Sequence, residues 1–411
     1  MEPITSTTIS STLQSNTSEE ENSIICGFTE ECDFRRFFFI TVLSCIAFVG
    51  ACCNFLLAWI FIRYRFNNLP PTLYPTFLAI LDGLICCFYV MLFGVDAVHV
   101  YLRIESLFII YHVYIVPSFV LSKITQLAIP YLLIFVTLER LAWISENFKN
   151  FCLFSTMGRP ISVVCCLIIC VMLRSPPLWA LTVEHFPRCP DFFRSLAVAP
   201  TEWAMESELY AFYDFWLMAF IQTLLPFMIL VFTNIIIVKK LSAVYYPDRD
   251  ILTPQAKSSE ATLVAFPSTA PRRSIHKLSF GRMRMPVEVR NAVYTTLAIV
   301  ASYLVCNSLH LVLTVLERSK SSLLDDAEDS TKASAFYTLF GDSVSAFYMV
   351  TSAGRILIYC KCNPVINSHV KRILNSCSCR GSSKDKTSGI KYFDSVERKS
   401  VTVDNHEPVD V

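Results

Sequence analysis

The feature that most constrains the fold is a series of seven apolar stretches, each long enough to cross a lipid bilayer. A bilayer core about 30 Å thick needs roughly 20 apolar residues in a helix that rises about 1.5 Å per residue. The predicted spans are 37–62, 73–98, 108–144, 161–183, 210–238, 291–316 and 336–359. We therefore predict an all-α membrane protein, in which residues 37–374 form a bundle of seven transmembrane helices.

The composition excludes several other classes of protein. Charged residues make up 17% of the chain and the formal net charge is +1, which argues against a nucleic-acid partner. The 10 glycines form no phosphate-loop or dinucleotide-binding pattern. The sequence also has no metal-ligand cluster and no nucleophile with a base beside it. We therefore expect neither an enzyme nor a cofactor.

The basic residues predict the orientation, because cytoplasmic segments carry an excess of Lys and Arg. With the N-terminus outside, 24 basic residues fall in inner segments and 8 in outer segments. We expect a multi-pass plasma-membrane protein with an extracellular tail at 1–36, where Asn16 lies in a glycosylation sequon. The composition also predicts a flexible inner loop at about 245–285 and a disordered cytoplasmic tail at 375–411.

Several charged and polar residues lie inside the predicted spans. A charge at the centre of a membrane helix costs about 2.5–3.5 kcal/mol on insertion scales, so it needs a partner. The residues concerned are Asn54 in span one, Asp82 in span two, Lys123 and Glu139-Arg140 in span three, and Arg355 in span seven.

These positions resemble those of the rhodopsin-like G-protein-coupled receptors, and the resemblance covers roughly residues 37–374. Leu141 stands where the Asp/Glu-Arg-Tyr motif of that family usually has Tyr. The resemblance implies an extracellular ligand and a heterotrimeric G protein that contacts Arg140. The alternative is that Arg140 is an interfacial arginine whose head reaches water. The matching residues are Asn54, Asp82, the pair Glu139-Arg140, and Pro226.

Spans six and seven resemble those of the FMRFamide-type neuropeptide receptors of invertebrates. Tyr303-Leu-Val-Cys306-Asn307 looks like their Phe-x-x-Cys-Asn stretch. Arg355-Ile-Leu-Ile-Tyr359 resembles their Asn-Phe-Ile-Ile-Tyr ending of span seven. The resemblance implies a short peptide ligand, with an amidated Arg-Phe end as one form. It also implies a role for Tyr359 in activation and a polar core made of Asn54, Asp82, Asn307 and Arg355.

Arg355 stands where members of this family generally have Asn, near the aspartate of span two. We predict that Arg355 and Asp82 form a buried ion pair, because each charge alone would be expensive in the bilayer. The alternative is that Arg355 faces a water-filled cavity and Asp82 pairs elsewhere.

Four residues are candidate ligand contacts: Asp96, Lys123, Asp214 and His310. A cation such as Lys123 would suit an acidic or carbonyl group, and the two aspartates would suit an Arg-Phe-amide end. Alternatively, Lys123 points to solvent and the two aspartates are solvated rim residues.

The cysteines outside the spans leave several possibilities open. The family places a cysteine near the outer end of span three, where this chain has Ile115. Cys26–Cys32, or either of them with Cys189, are possible pairs. Cys377 and Cys379 follow a short basic, amphipathic helix predicted at about 367–374, and they are candidates for palmitoylation, with reduced thiols as the alternative.

The leading interpretation is a receptor that binds an extracellular peptide or small ligand, lies in the lipid bilayer and signals through a heterotrimeric G protein. One alternative is a chemoreceptor for a small molecule. Another is a transporter or ion pathway lined by Lys123, Arg174 and Arg355. The sequence has no internal repeat, which disfavours an inverted-repeat transporter.

Overall fold

A computed structural model describes residues 32–63, 72–144, 154–245, 287–318 and 335–379. Within these ranges the chain is mostly helical, as its apolar composition predicts. Asn16, Cys26, nearly all of the predicted loop at 245–285 and the chain beyond residue 379 lie outside the described residues.

Three long helical segments open the fold. Arg103 makes the sharp turn between the second and third, since it adopts a left-handed backbone with φ 49°. The elements are α1 (Phe34–Arg63), α2 (Leu73–Tyr89), a π-helical turn (Val90–Gly94), α3 (Val95–Leu102) and α4 (Glu105–Ile144).

A β-hairpin follows the fourth helical segment. Its strands are antiparallel, with Leu181 opposite Pro200 and His185 opposite Leu196. The predicted fourth span, 161–183, was too long, because the backbone changes from helix to strand at Leu181 and bonds to the second strand instead. The elements are α5 (Gly158–Arg174), α6 (Pro177–Ala180), β1 (Leu181–His185), a 3-10 turn (Phe192–Arg194) and β2 (Leu196–Pro200).

Helices make up the remaining described chain. Two π-helical turns, Tyr213–Leu217 and Phe220–Leu224, lie within the fifth long segment. The helices are α7 (Glu202–Glu206), α8 (Glu208–Phe212), α9 (Leu225–Tyr245), α10 (Val287–Arg318), α11 (Ala335–Ala353), α12 (Arg355–Cys362) and α13 (Pro364–Cys379).

Helix α13 begins with a clear sequence signal. The side chain of Asn363 accepts hydrogen bonds from the backbone nitrogens of Val365 (3.1 Å) and Ile366 (3.5 Å), and Pro364 starts the helix. The helix predicted at about 367–374 is therefore longer at both ends. Its amphipathic character and the acylation of Cys377 and Cys379 stay predictions.

Six segments within the described ranges are long and apolar enough to cross a membrane, and they correspond to the first six predicted spans. The seventh predicted span, 336–359, is not among them, and it is divided at Gly354 between α11 and α12. A multi-pass membrane protein is the class that these helices define. The six segments are Phe34–Arg63, Leu73–Leu102, Glu105–Ile144, Gly158–Ala180, Glu208–Leu241 and Val289–Leu316.

Packing inside the bundle is tight where α1 meets α11. A Cβ atom added at Gly50 would lie 2.9 Å from the Cα of Ala353, so glycine permits the close approach of the two helices. Asn54, one turn later, donates from Nδ2 to the carbonyl oxygens of Gly50 (3.0 Å) and Ser352 (2.9 Å). This contact fixes α11 just before the chain reaches Arg355.

Candidate functional site

A buried ion pair lies inside the bundle. Arg355 Nη1 is 2.5 Å from Asp82 Oδ2, and the two side chains are 2% and 1% exposed. The ion pair predicted from the sequence is thus confirmed, and the alternative in which Asp82 pairs elsewhere is wrong. Because Arg355 is the first residue of α12 and Asp82 lies in α2, the pair holds these two helices together.

Of the two asparagines assigned to the polar core, only Asn54 joins the helix that leads to Arg355. It does so through the carbonyl of Ser352. Asn307 is buried in α10, and its Nδ2 has no hydrogen-bond partner among the described residues. Its neighbour Cys306 instead connects α10 to α11, with Sγ 2.7 Å from Thr351 Oγ1.

The last turn of α4 carries a second buried group of charges. Glu139 Oε1 is 2.7 Å from Arg159 Nε on α5, whereas Glu139 Oε2 is 3.8 Å from Arg140 Nη1. The Arg140 guanidinium lies over the ring of Trp143, 4.1 Å from its centroid. The side chains of Arg140 and Glu139 are 4% and 0% exposed, so the alternative in which Arg140 reaches water is wrong for this arrangement.

Two partners in this group were missed from the sequence. Arg159 served only as one of the inner basic residues that predict the orientation. A basic residue near the start of the next span is nevertheless well placed to meet Glu139. Trp143 follows Arg140 by three positions, a spacing that brings side chains together on a helix. Tyr359 is also buried. It packs edge-on against Phe61, with centroids 5.3 Å apart.

Three of the four candidate ligand contacts line one cavity, which meets α4 at Lys123, about halfway along the helix. They are Lys123, Asp214 and His310, and Leu181 at the start of β1 also lines it. We call this cavity the Lys123 cavity. We call the end of the bundle that holds it the hairpin end, and we call the opposite end the Arg140 end. The start of α4 contacts the hairpin at Phe108, Phe192 and Phe193.

Arg174 is the lining residue that the ligand prediction missed. Its Nη1 is 3.5 Å from Asp214 Oδ1, and its Nη2 donates to the side-chain oxygen of Gln222. The sequence signal was present, since a charge inside a predicted span needs a partner. Lys123 Nζ lies over the ring of Phe119, 5.3 Å from the centroid.

The fifth segment presents one face to the cavity. Asp214, Met218 and Gln222 are spaced four apart, which places them on the same side of a helix, and all three line the cavity. The two π-helical turns lie within this stretch.

The cavity is small. Its volume is about 50 Å³, which is room for a few water molecules. Its wall combines the charged residues with apolar ones such as Phe119 and Met218. It can therefore hold one small polar group attached to a short apolar one, in the way that ligand sites usually combine the two.

Asp96 does not line this cavity. Its Oδ1 is 3.3 Å from Nε2 of the buried His99, one turn along α3. Tyr111 and Phe108 surround the same histidine ring, with centroids 4.8 and 5.5 Å away. The structure thus separates Asp96 from the other three candidate contacts.

Among the cysteines near the hairpin end, Cys189 is disulfide-bonded, whereas Cys32 is a free thiol. Burial raises the pKa of the Cys32 thiol, so it stays protonated at neutral pH. Both predicted pairs that contain Cys32 are therefore wrong, and Cys26–Cys189 is the remaining one of the three.

A search against known protein families gives no match, and a search of curated proteins gives no significant match. Within the described ranges no group of three or more His, Cys, Asp or Glu side chains could hold a metal ion. The candidate site consists of the three features described above: the Lys123 cavity, the Asp82–Arg355 pair and the charges around Arg140.

Proposed function

We propose that the protein is a plasma-membrane receptor of seven spans that signals through a heterotrimeric G protein. One observation carries the proposal: α4 contributes Lys123 to the cavity and Glu139-Arg140 to the buried charges at the other end. The 17 positions between Lys123 and Arg140 correspond to about 25 Å of helix, most of the depth of a bilayer core. A single continuous helix, which includes Pro130, thus connects the small cavity to an arginine near the opposite face.

A seventh span formed by α11 and α12 is supported by the burial of α12. Arg355 is fully buried against Asp82, whereas Leu357, two positions later, is 70% exposed. An exposed leucine beside a buried ion pair fits a helix with one side in the bundle and the other toward lipid. Seven spans would place the two termini on opposite sides. The excess of basic residues favours the N-terminus outside.

In this mechanism the ligand shifts the population of the receptor between two arrangements of its helices. It binds one arrangement of the helices better than the other and so favours it. Arg140 is buried against Trp143 and Glu139 in the arrangement described. The signalling arrangement would release the guanidinium toward the Arg140 end, where a planar, permanently charged group can bind carbonyl and carboxylate oxygens of a G protein.

The ligand is a short peptide that inserts one end into the cavity. A chemoreceptor for a small molecule is the second candidate, and the small volume of the cavity favours it. A transporter or ion pathway would need a continuous polar route, whereas the Asp82–Arg355 pair fills the interior with charges that neutralise each other.

The coupling experiment compares two arginine variants. Cells that express the protein are screened with short peptides and small molecules for ligand-dependent dissociation of heterotrimeric G proteins. At matched surface level, Arg140→Ala should abolish the response. Arg63→Ala is the control, because Arg63 is an exposed arginine in the last turn of α1. An unchanged response of Arg140→Ala would refute the coupling role, and ion currents or uptake without G-protein dissociation would favour the ion pathway.

The topology is tested separately. An epitope tag at residue 1 should be stained on unpermeabilised cells. A tag on the 245–285 loop should be stained only after permeabilisation. The reverse pattern would contradict the proposed orientation.

A further inference from the structure

We propose that the Lys123 cavity binds a carboxylate of the ligand. This inference rests on the receptor function proposed above and names the chemical group that the cavity recognises. An acidic ligand group differs from the amidated Arg-Phe end that the resemblance implies.

The first argument is the charge of the lining residues. Lys123 and Arg174 are cations, and Asp214 is the one carboxylate among the side chains described as lining the cavity. With His310 neutral, the lining carries a net charge of +1. Charges interact more strongly inside a protein than in water, so an anion is the ligand that this wall favours.

The second argument is the position of Asp214. Its Oδ1 faces Arg174 Nη1 at 3.5 Å, and Arg174 also donates to Gln222. A cationic ligand that used Asp214 would compete with Arg174 and leave that buried guanidinium short of a counter-charge. A carboxylate ligand does not need Asp214 and leaves it paired with Arg174.

The third argument combines the positions of the lining residues with the volume of the cavity. Lys123 of α4 and His310 of α10 both line the cavity, so a carboxylate there lies between two elements. Thr314 Oγ1 lies 3.3 Å from His310 Nδ1 and orients the ring. The volume of about 50 Å³ suits a carboxylate on a short apolar group rather than a whole peptide.

The experiment measures the thermal stability of the purified full-length protein in detergent. The probes are propionate and benzoate, each matched with its amide, propionamide or benzamide. Two further pairs are tripeptides: Gly-Gly-Phe with a free or amidated C-terminus, and Gly-Asp-Phe-amide with Gly-Asn-Phe-amide. Acids should raise the melting temperature in a concentration-dependent way and their amides should not, because only a binding ligand stabilises the folded state. The three sets of probes distinguish a free acid, a peptide C-terminus and an acidic side chain as the source of the carboxylate.

Three variants test the residues. Lys123→Gln should weaken binding of the stabilising acid by about tenfold or more, since it removes a charge-assisted hydrogen bond. Lys361→Gln, an exposed lysine of α12, is the matched control and should leave binding unchanged. Asp214→Asn should leave acid binding intact or strengthen it, because it removes a negative charge from the cavity wall.

Several outcomes would overturn the inference: equal stabilisation by acids and amides, no stabilisation by any acid, or unchanged acid binding by Lys123→Gln. Binding of Arg-Phe-amide that Asp214→Asn abolishes would show that the cavity takes a cation instead. These readouts do not involve a G protein. Acid binding without any G-protein response would therefore contradict the proposed function and leave this inference standing.

Discussion

Among single residues, Asp82 and Arg355 carry the largest electrostatic consequence. The pair is neutral as a whole, which makes two charges tolerable at this depth in an apolar bundle. It is not fully satisfied, because Asp82 Oδ1 and Arg355 Nε have no hydrogen-bond partner among the described residues. A buried ion pair of this kind adds little net stability over apolar residues of similar size, but the loss of one partner is costly.

Removal of one partner should therefore be far worse than removal of both. Asp82→Asn or Arg355→Gln alone strands the remaining charge, at a cost of about 3–5 kcal/mol, and should sharply lower surface expression. The double variant should recover part of the loss, because no lone charge remains. Flow cytometry of a tagged protein measures the effect, with Lys361→Gln as a control for loss of an exposed charge. Strictly additive losses in the double variant would refute direct coupling of the two residues.

At the scale of helices, close approach and irregular turns position the site. Asp214 and Gln222 lie in the two π turns and line the cavity, and Tyr131 of α4 donates from its hydroxyl to the carbonyl of Ile221 in the second turn (2.9 Å). At the other side of the bundle, Gly50 lets α1 touch α11, which leads into Arg355. Close approach and hydrogen bonds between helices thus help to decide which polar groups meet.

The contact at Gly50 predicts a difference between two glycines. Gly50→Ala should destabilise the protein by about 1–3 kcal/mol, because the new methyl group collides with the backbone of Ala353. Gly341→Ala is the matched control. A Cβ there meets nothing within 4 Å, and alanine favours the helix by about 1 kcal/mol. Thermal unfolding of the detergent-solubilised proteins should show a lower midpoint only for Gly50→Ala. Equal midpoints would argue against the close contact.

For the molecule as a whole, the sequence predicted the features that follow from hydropathy and from the cost of buried charge. Six spans and the Asp82–Arg355 pair are of this kind. The hairpin was missed, because its strands extend an apolar span whose composition does not distinguish helix from strand. Arg174 was missed as a lining residue of the cavity, since its contacts with Asp214 and Gln222 depend on how two separate helical segments pack together.

The disulfide at Cys189 gives a prediction for the whole fold. Since Cys32 is free, we predict that Cys189 pairs with Cys26 and ties the N-terminal segment to the hairpin loop. Loss of a native disulfide typically costs about 2–5 kcal/mol, so Cys26→Ser and Cys189→Ser should each lower surface expression. Cys32→Ser is the matched control and should not. A loss with Cys189→Ser but none with Cys26→Ser would identify a different partner.

The buried ion pair also restricts how the sequence can drift. A single substitution at position 82 or 355 passes through a form with a stranded charge, so selection removes that form before the second substitution can follow. We expect the two positions to be inherited as a unit among descendants of this chain, whether as the aspartate and arginine together or as two uncharged residues. Neighbouring lipid-facing positions such as Leu357 carry no such constraint and are free to vary among apolar residues one at a time.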